Sequence, residues 1–423
     1  MKKMNCRLQK GKTALLSDGK TALELTFSDD EVAVCVYTDF KAEPLVLRAA
    51  ASDGDMLTLA LYPYRLELYI NDVLCDEEWE AGNLILGDEY TLEGNHAISV
   101  TPLENELPRR EPRSCMTISG CRAGGVNVGD CMPFSENADG LSGNGDSVYH
   151  LFYLYDRHHH CSKWCLGAHQ WAHISTEDFV TWREHPMAIP ITHPWEGSIC
   201  TGSIVFDGEK YCAWYAVRMS DRSPARITMA VSHDLETFFK TDGYFTLPPA
   251  YESRTARDPK VIFIDGRIHM LVTTSRVSDG RGCLAHLVSD SMTVDGNAWH
   301  DMGTVIVSDS EKQPECPDWF RMGEYYYITY AYGGKSHYAF SHDRFGEGGW
   351  NVPENNLIPC GNVPKSALFA HERIFAGFAV ENVGGYAGDA VFARAVQRSD
   401  GTLEFLPFPD QNMQSEFLSG VDI

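Results

Sequence analysis

Four short turn sequences recur at a near-constant interval and restrict this chain to few architectures. Ser175-Thr-Glu-Asp178 leads to Trp182, Ser232-His-Asp234 to Phe238, Ser289-Asp290 to Trp299, and Ser341-His-Asp343 to Trp350. The serines stand 57, 57 and 52 residues apart. A period near fifty, with several strands per period and one aromatic-bearing turn, is the sequence pattern of β-propeller blades. The clearest copy runs from an apolar strand, Ser203-Ile-Val-Phe206, through Asp207-Gly208 to the aromatic strand Tyr211-Cys-Ala-Trp-Tyr215. Continuing the period gives a last unit with Phe375-Ala-Gly-Phe378 and Ala390-Val-Phe-Ala393. A first unit begins near Val128 and carries His150-Leu-Phe-Tyr-Leu-Tyr155. The expected fold is therefore all-β, with five blades. The Ser-x-Asp turns themselves read as turn caps, not as chemistry.

Ahead of the repeat the pattern changes. Thr21–Phe27, Leu57–Tyr62 and Leu66–Ile70 alternate apolar and polar residues, and Asn71-Asp72 supplies a turn. Alternation buries one face of each strand and wets the other, which suits two packed sheets. The chain divides on this reading into a β-sandwich of jelly-roll type at 1–105, a linker at 106–122 containing Pro108 and Pro112, a propeller at 123–410, and a tail at 411–423. The sandwich reads first as a packing domain that braces its neighbour, with sugar binding as the alternative.

Composition narrows the function. The chain carries 35 Lys and Arg against 59 Asp and Glu, a formal charge of −24, with the acids scattered. That surface repels phosphate backbones and anionic lipid, so neither nucleic acid nor a membrane is the expected partner. Met1-Lys2-Lys3-Met4-Asn5-Cys6-Arg7 is followed by no apolar signal core, and no run approaches eighteen apolar residues. A cytoplasmic location is the expectation. The 13 cysteines form no C-x-x-C pair and read as reduced, mostly buried thiols. His158-His159-His160-Cys161, with Cys165 and His169, fits no zinc spacing, so no metal or other cofactor is expected.

Three acidic motifs occur where strands begin: Gly129-Asp130-Cys131-Met132-Pro133-Phe134, Arg257-Asp258-Pro259 and Glu315-Cys316-Pro317-Asp318. A single such acid usually forms a turn. Three in rigid contexts, at positions expected to be equivalent in their blades, would converge on a central funnel. Paired carboxyls across one bond are what glycoside hydrolysis requires.

These motifs resemble glycoside hydrolase family 32, the β-fructofuranosidases. Arg257-Asp258-Pro259 matches that family's R-D-P, and Glu315-Cys316 its E-C. Gln170-Trp-Ala-His173 through Trp182 resembles its W-G-H-A-x-S-x-D-x-x-x-W, and Cys200-Thr201-Gly202-Ser203 its F-S-G-S. The resemblance spans about 125–405. It implies a five-bladed propeller, with Asp130 as nucleophile, Asp258 as transition-state stabiliser and Glu315 as acid/base. It also implies substrate contacts for Arg257, Thr201 and Cys316, and small fructose-containing saccharides as partners. Arg257 is expected to hold Asp258 ionised. Trp164 is expected either as an apolar wall for the fructose ring or as a core side chain.

The chain departs from the family at several points. The nucleophile motif is not N-D-P-N-G, Leu154 stands where a fructose-binding Gln is expected, and the sandwich precedes the propeller. The reading that follows is a retaining hydrolase of short β-fructofuranosides, such as sucrose, kestose-type, inulin or levan oligosaccharides, or difructose dianhydrides. The alternatives are a fructosyltransferase, a family 43-like inverting arabinosidase or xylosidase, and a non-catalytic sugar-binding propeller.

Overall fold

A computed structural model describes all residues except 39–43, 63–65, 79–85, 106, 108–126, 136–147, 157–168, 194, 220, 381–387 and 410–423. Most of the expected linker and the whole of the expected C-terminal tail thus lie outside the described residues. Every described element longer than the 3₁₀ turn Gly296–Ala298 is a β-strand. No described helix is long and apolar enough to cross a membrane. Chain contacts separate two compact units. The first is Met1–Ser114 with Cys165–Ala168 and Ile191–Gly197, and the second holds the rest.

The first unit consists of two five-stranded sheets. One contains Lys2–Arg7, Met56–Leu61, Leu66–Ile70, Val73–Glu78 and Ile98–Pro102, and the other Gly11–Ser17, Lys20–Ser28, Glu31–Val36, Leu45–Ala50 and Thr91–Gly94. Alternate side chains of both sheets, among them Met4, Leu57, Leu59 and Leu68 with Leu15, Leu25, Val34 and Leu47, form one apolar core. The period-two alternation in the sequence is the cause, since it gives each strand one buried face. Positive φ at Asn71 and Asp72 makes the tight turn between Leu66–Ile70 and Val73–Glu78.

The second unit is a succession of antiparallel meanders. Each begins with a lead strand: Asn127–Ser135, Glu196–Phe206 (which enters this unit at Ser198), Arg257–Ile264, Glu315–Met322 and Asn362–Phe369. Among the described residues, the meander led by Asn127–Ser135 pairs with Gly388–Gln397 at Val128 and Gly388. Aromatic and small apolar side chains fill the space between sheets, with Trp214 and Trp299 edge to face at 5.6 Å and Phe375 against Phe320 at 5.8 Å.

Two of the turns are aspartate caps that differ by one register step, whereas Asp290 of the third pairs with Arg267. Asp178 accepts the Val180 and Thr181 amides, and Asp234 those of Glu236 and Thr237. In the first copy the capping hydroxyl belongs to Thr176, which takes the Phe179 amide, while Ser175 is engaged with His185 Nε2 at 2.8 Å. Thr176 therefore corresponds to Ser232.

Two histidine pairs, one buried and one half-buried, recur at corresponding strands of two meanders. His150 Nδ1 lies 2.9 Å from His173 Nε2, and His269 Nδ1 lies 2.9 Å from His286 Nε2. In each case an aromatic ring packs on the pair: Phe152 stacks on His173 at 3.9 Å, and Phe345 sits 4.3 Å from His286. Burial pushes His150, His269 and His286 down to about 4. Between that value and the unfolded value near 6.5, the unfolded chain binds more protons than the folded one. Stability is therefore complete above about pH 6.5 and falls as the pH drops towards 4. Replacing His150 by Phe should flatten part of that decline, at about 1.4 kcal/mol per unit of pKa displacement. Urea midpoints of the two proteins at pH 7 and pH 4.5 measure this, and parallel declines would refute it.

Candidate active site

A β-bulge shapes the lead strands Asn127–Ser135, Arg257–Ile264, Glu315–Met322 and Asn362–Phe369. The pairing register slips between Val128 and Cys131, Arg257 and Lys260, Glu315 and Asp318, and Asn362 and Lys365. In the last three the first bulged residue has a left-handed backbone, with φ of 56° at Asp258, 51° at Cys316 and 39° at Val363. The second bulged residue is proline in each: Pro259, Pro317 and Pro364. A bulge leaves a residue outside the ladder, and proline has no N–H to lose there. Left-handed non-glycine residues cost roughly 1–3 kcal/mol each and concentrate where a side chain must be re-aimed.

Aligned on the bulge, the three acids are not equivalent, contrary to expectation. Glu315 precedes the bulge, Asp258 is its first residue and Asp130 its second. The three carboxyls thus leave their strands from three different places relative to the bulge.

All three nevertheless line one cavity of about 200 Å³, together with Arg257, Thr201, Cys316, Leu154 and Arg218. Asp258 is 2% exposed and fully engaged. Thr201 Oγ1 donates to its Oδ1, and the Cys316 backbone N–H donates to its Oδ2 at 3.1 Å. Asp130 Oδ2 lies 3.4 Å from Thr201 Oγ1 and 3.6 Å from Cys316 Sγ. Burial, with Asp258 and Asp130 adding to it, pushes the Cys316 thiol well up, so it stays protonated and able to donate. Thr201 and Cys316 thus tie two carboxylates together from beneath.

Glu315 is the accessible acid, its side chain 45% exposed. Arg257 donates to Glu315 Oε1 at 2.6 Å and to Gln313 Oε1 at 2.5 Å. Its Nε stands 3.6 Å from Asp258 Oδ2. It therefore bridges two acids, with Glu315 the closer partner and Asp258, the expected one, at the edge of ion-pair range. Burial pulls the guanidinium down, yet Asp258 and Glu315 more than offset this and hold Arg257 above its usual range. Gln313, which no motif pointed to, fixes the arrangement through Thr255 Oγ1 and Ser275 Oγ at 3.1 and 2.9 Å.

Below the acids lies a charged layer invisible in the sequence. Lys260 and Asp318, each just past its bulge, pair at 2.6 Å, and Ser366 donates its N–H and hydroxyl to Asp318. Burial pushes the Asp318 carboxyl up, but Lys260, Ser366 and Arg373 outweigh it and hold the group below the usual carboxylate range. Lys365, also just past its bulge, donates to Gly202 O at 2.8 Å. Gly202 is obligatory, because a Cβ there would meet Trp214 O at 1.8 Å. These contacts lock the lead strands, and with them the acids, in register.

Leu154 forms an apolar part of the wall and is 2% exposed. Trp164 and the His158–His160 loop lie outside the described residues. One described histidine cluster, His150, His173 and His185, brings ring nitrogens within 4.8 Å of one another. The His173 and His185 rings, however, lie face to face at 4.0 Å, and His150 and His173 spend nitrogens on each other. That is a packed stack, not a set of lone pairs aimed at one centre.

Chemically, the cavity offers one accessible carboxyl for proton transfer, a second for attack, and a third buried and doubly hydrogen-bonded for charge stabilisation. An all-β chain with such an acid-lined cavity fits the class of glycoside hydrolases. The profile of the glycosyl hydrolases family 32 N-terminal domain matches residues 137–359, more than half of the chain. The chain belongs to glycosyl hydrolase family 32. Asp258 and Glu315 fall inside the matched segment, whereas Asp130 precedes it.

Among curated relatives, the chain is 27% identical over 166 residues to sucrose-6-phosphate hydrolase of Bacillus subtilis (strain 168), covering 37% of this chain and 33% of the relative. It is 26% identical over 237 residues to raffinose invertase of Escherichia coli, covering 54% and 46%. The chain thus spans less than half the length of these relatives. Its fold is similar to that of fructan 1-exohydrolase IIa from Cichorium intybus, with a TM-score of 0.55 at 18% identity over 70% of this chain and 62% of that one. It is also similar to sucrose-6-phosphate hydrolase from Lactobacillus gasseri, with a TM-score of 0.51 at 17% identity over 67% and 63%.

Proposed function

We propose that this chain is a retaining glycosidase that releases fructose from short β-fructofuranosides. The observation that carries the reading is the convergence of Asp130, Asp258 and Glu315 on one small cavity, with Arg257 on Glu315 and Thr201 on both aspartates. Asp130 attacks the anomeric carbon and forms a fructosyl-enzyme. Glu315 protonates the departing oxygen and then takes a proton from water. Asp258, held by two donors, meets the fructose hydroxyls as oxocarbenium charge develops. The meanders of the second unit serve as five propeller blades around this cavity, and the first unit as a β-sandwich.

A cavity of about 200 Å³ has room for roughly one sugar ring, which supports removal of one terminal fructose at a time. The test is fructose release from sucrose, kestose-type oligosaccharides, difructose dianhydrides and polymeric inulin or levan. Di- and trisaccharides should exceed polymer in kcat/KM by at least about tenfold, or roughly 1.4 kcal/mol of transition-state discrimination. Mixed oligomers appearing early from inulin would contradict a terminal mode of attack.

A further inference from the structure

The bulge recurs a fourth time at Asn362-Val363-Pro364, where no acid drew attention to it. Asn362 occupies the place that Arg257 and Glu315 occupy on their strands, immediately before the slip in register. Both of those side chains reach the cavity, and so does Asn362. Its Nδ2 is only loosely held, 3.4 Å from Phe378 O, and among the described residues its Oδ1 accepts no hydrogen bond. A half-buried carboxamide with spare donor and acceptor capacity, carried on a strained backbone at the rim of a cavity, is suited to a ligand's hydroxyls.

Its neighbours indicate which part of the substrate it meets. The lead strand of Glu315 packs between those of Arg257 and Asn362. Arg257 therefore flanks Glu315 on one side, and Asn362 on the other. Ala331, directly paired with Glu315, together with Gly334, Ser336, Val363 and Phe378, continues the Asn362 side of the wall. A group that protonates a departing oxygen must stand next to the departing sugar. Among the described residues, this wall carries amide, hydroxyl and apolar surface and no Lys or Arg.

We infer that Asn362 anchors the leaving group, and that this subsite takes an uncharged, polyhydroxylated sugar in preference to a phosphorylated one. The inference rests on the proposed hydrolysis of fructosides and adds a residue and a substrate class to it. The carboxamide bridges neighbouring hydroxyls of the departing sugar, and Phe378 offers apolar surface to its C–H face. A phosphate here would lose its water without gaining a cation.

The experiment compares wild type, Asn362→Ala and Asn362→Ser on sucrose, on sucrose phosphorylated on its glucose, and on an aryl fructoside whose leaving group bears no hydroxyls. Wild type should prefer sucrose over the phosphorylated form by at least about tenfold in kcat/KM. Asn362→Ala should raise KM for sucrose at least fivefold with little change in kcat, while KM for the aryl fructoside changes less than twofold. Asn362→Ser should recover part of the loss. Equal effects of Asn362→Ala on both substrates, or none on either, would overturn the assignment of Asn362. A wild-type preference for the phosphorylated sugar would overturn the substrate class. Absence of fructose release by wild type from every substrate would overturn the functional reading beneath both.

Discussion

Asp130→Ala is expected to lower turnover of sucrose-type substrates by on the order of 10⁴-fold or more while the folded protein survives. The size follows from the proposed role, since without the attacking carboxylate no covalent intermediate forms and nothing nearby replaces it. Cys131 follows in the chain but is fully buried, with its Sγ turned to Gly129 O at 3.5 Å. Asp258 is committed to Thr201 and the Cys316 amide. The fold should persist because Asp130 borders a cavity, and Thr201 and Cys316, already 3.5 Å apart, can satisfy each other. Steady-state kinetics beside a thermal melt measure both halves. Retention of even a few per cent of activity would move the nucleophile elsewhere.

Glu315→Ala should separate substrates by leaving group. Loss of a general acid matters where the departing oxygen needs a proton, so natural fructosides should slow by about 10²–10⁴-fold and an activated aryl fructoside far less. With the aryl substrate, added azide should restore turnover by attacking the fructosyl-enzyme in place of activated water, giving a fructosyl azide. The substitution also frees Arg257, which keeps Gln313, the Thr255 carbonyl and the nearby Asp258, so its charge is not left without partners. Equal loss on natural and activated substrates, with no response to azide, would remove Glu315 from this role.

The sequence announced the acids because each sits in a short, rigid motif at the head of a strand. The structure supplies the reason for that rigidity, a bulge whose unpaired residue is proline in Arg257-Asp258-Pro259 and Glu315-Cys316-Pro317. The same pattern stands in Asn362-Val363-Pro364-Lys365, and reading the motif as backbone geometry instead of as acid-bearing text would have found it. The one-residue stagger among Asp130, Asp258 and Glu315 was not legible, because register depends on pairing with the next strand. Partnerships across strands were hidden for the same reason. Adjacency suggested Arg257 for Asp258, whereas its nearest carboxylate comes from Glu315, 58 residues away in the chain. Nothing in the sequence linked Lys260, Asp318 and Lys365, because only packing between strands brings them together.

Attack by a carboxylate followed by attack by water inverts the anomeric carbon twice, so the account stands or falls on the configuration of the first product. Proton NMR of a sucrose digest, recorded before mutarotation, reads it directly. The account predicts that β-fructofuranose appears first and the other tautomers only later. Initial release of the α-anomer would mean single displacement by water and would contradict a nucleophilic Asp130.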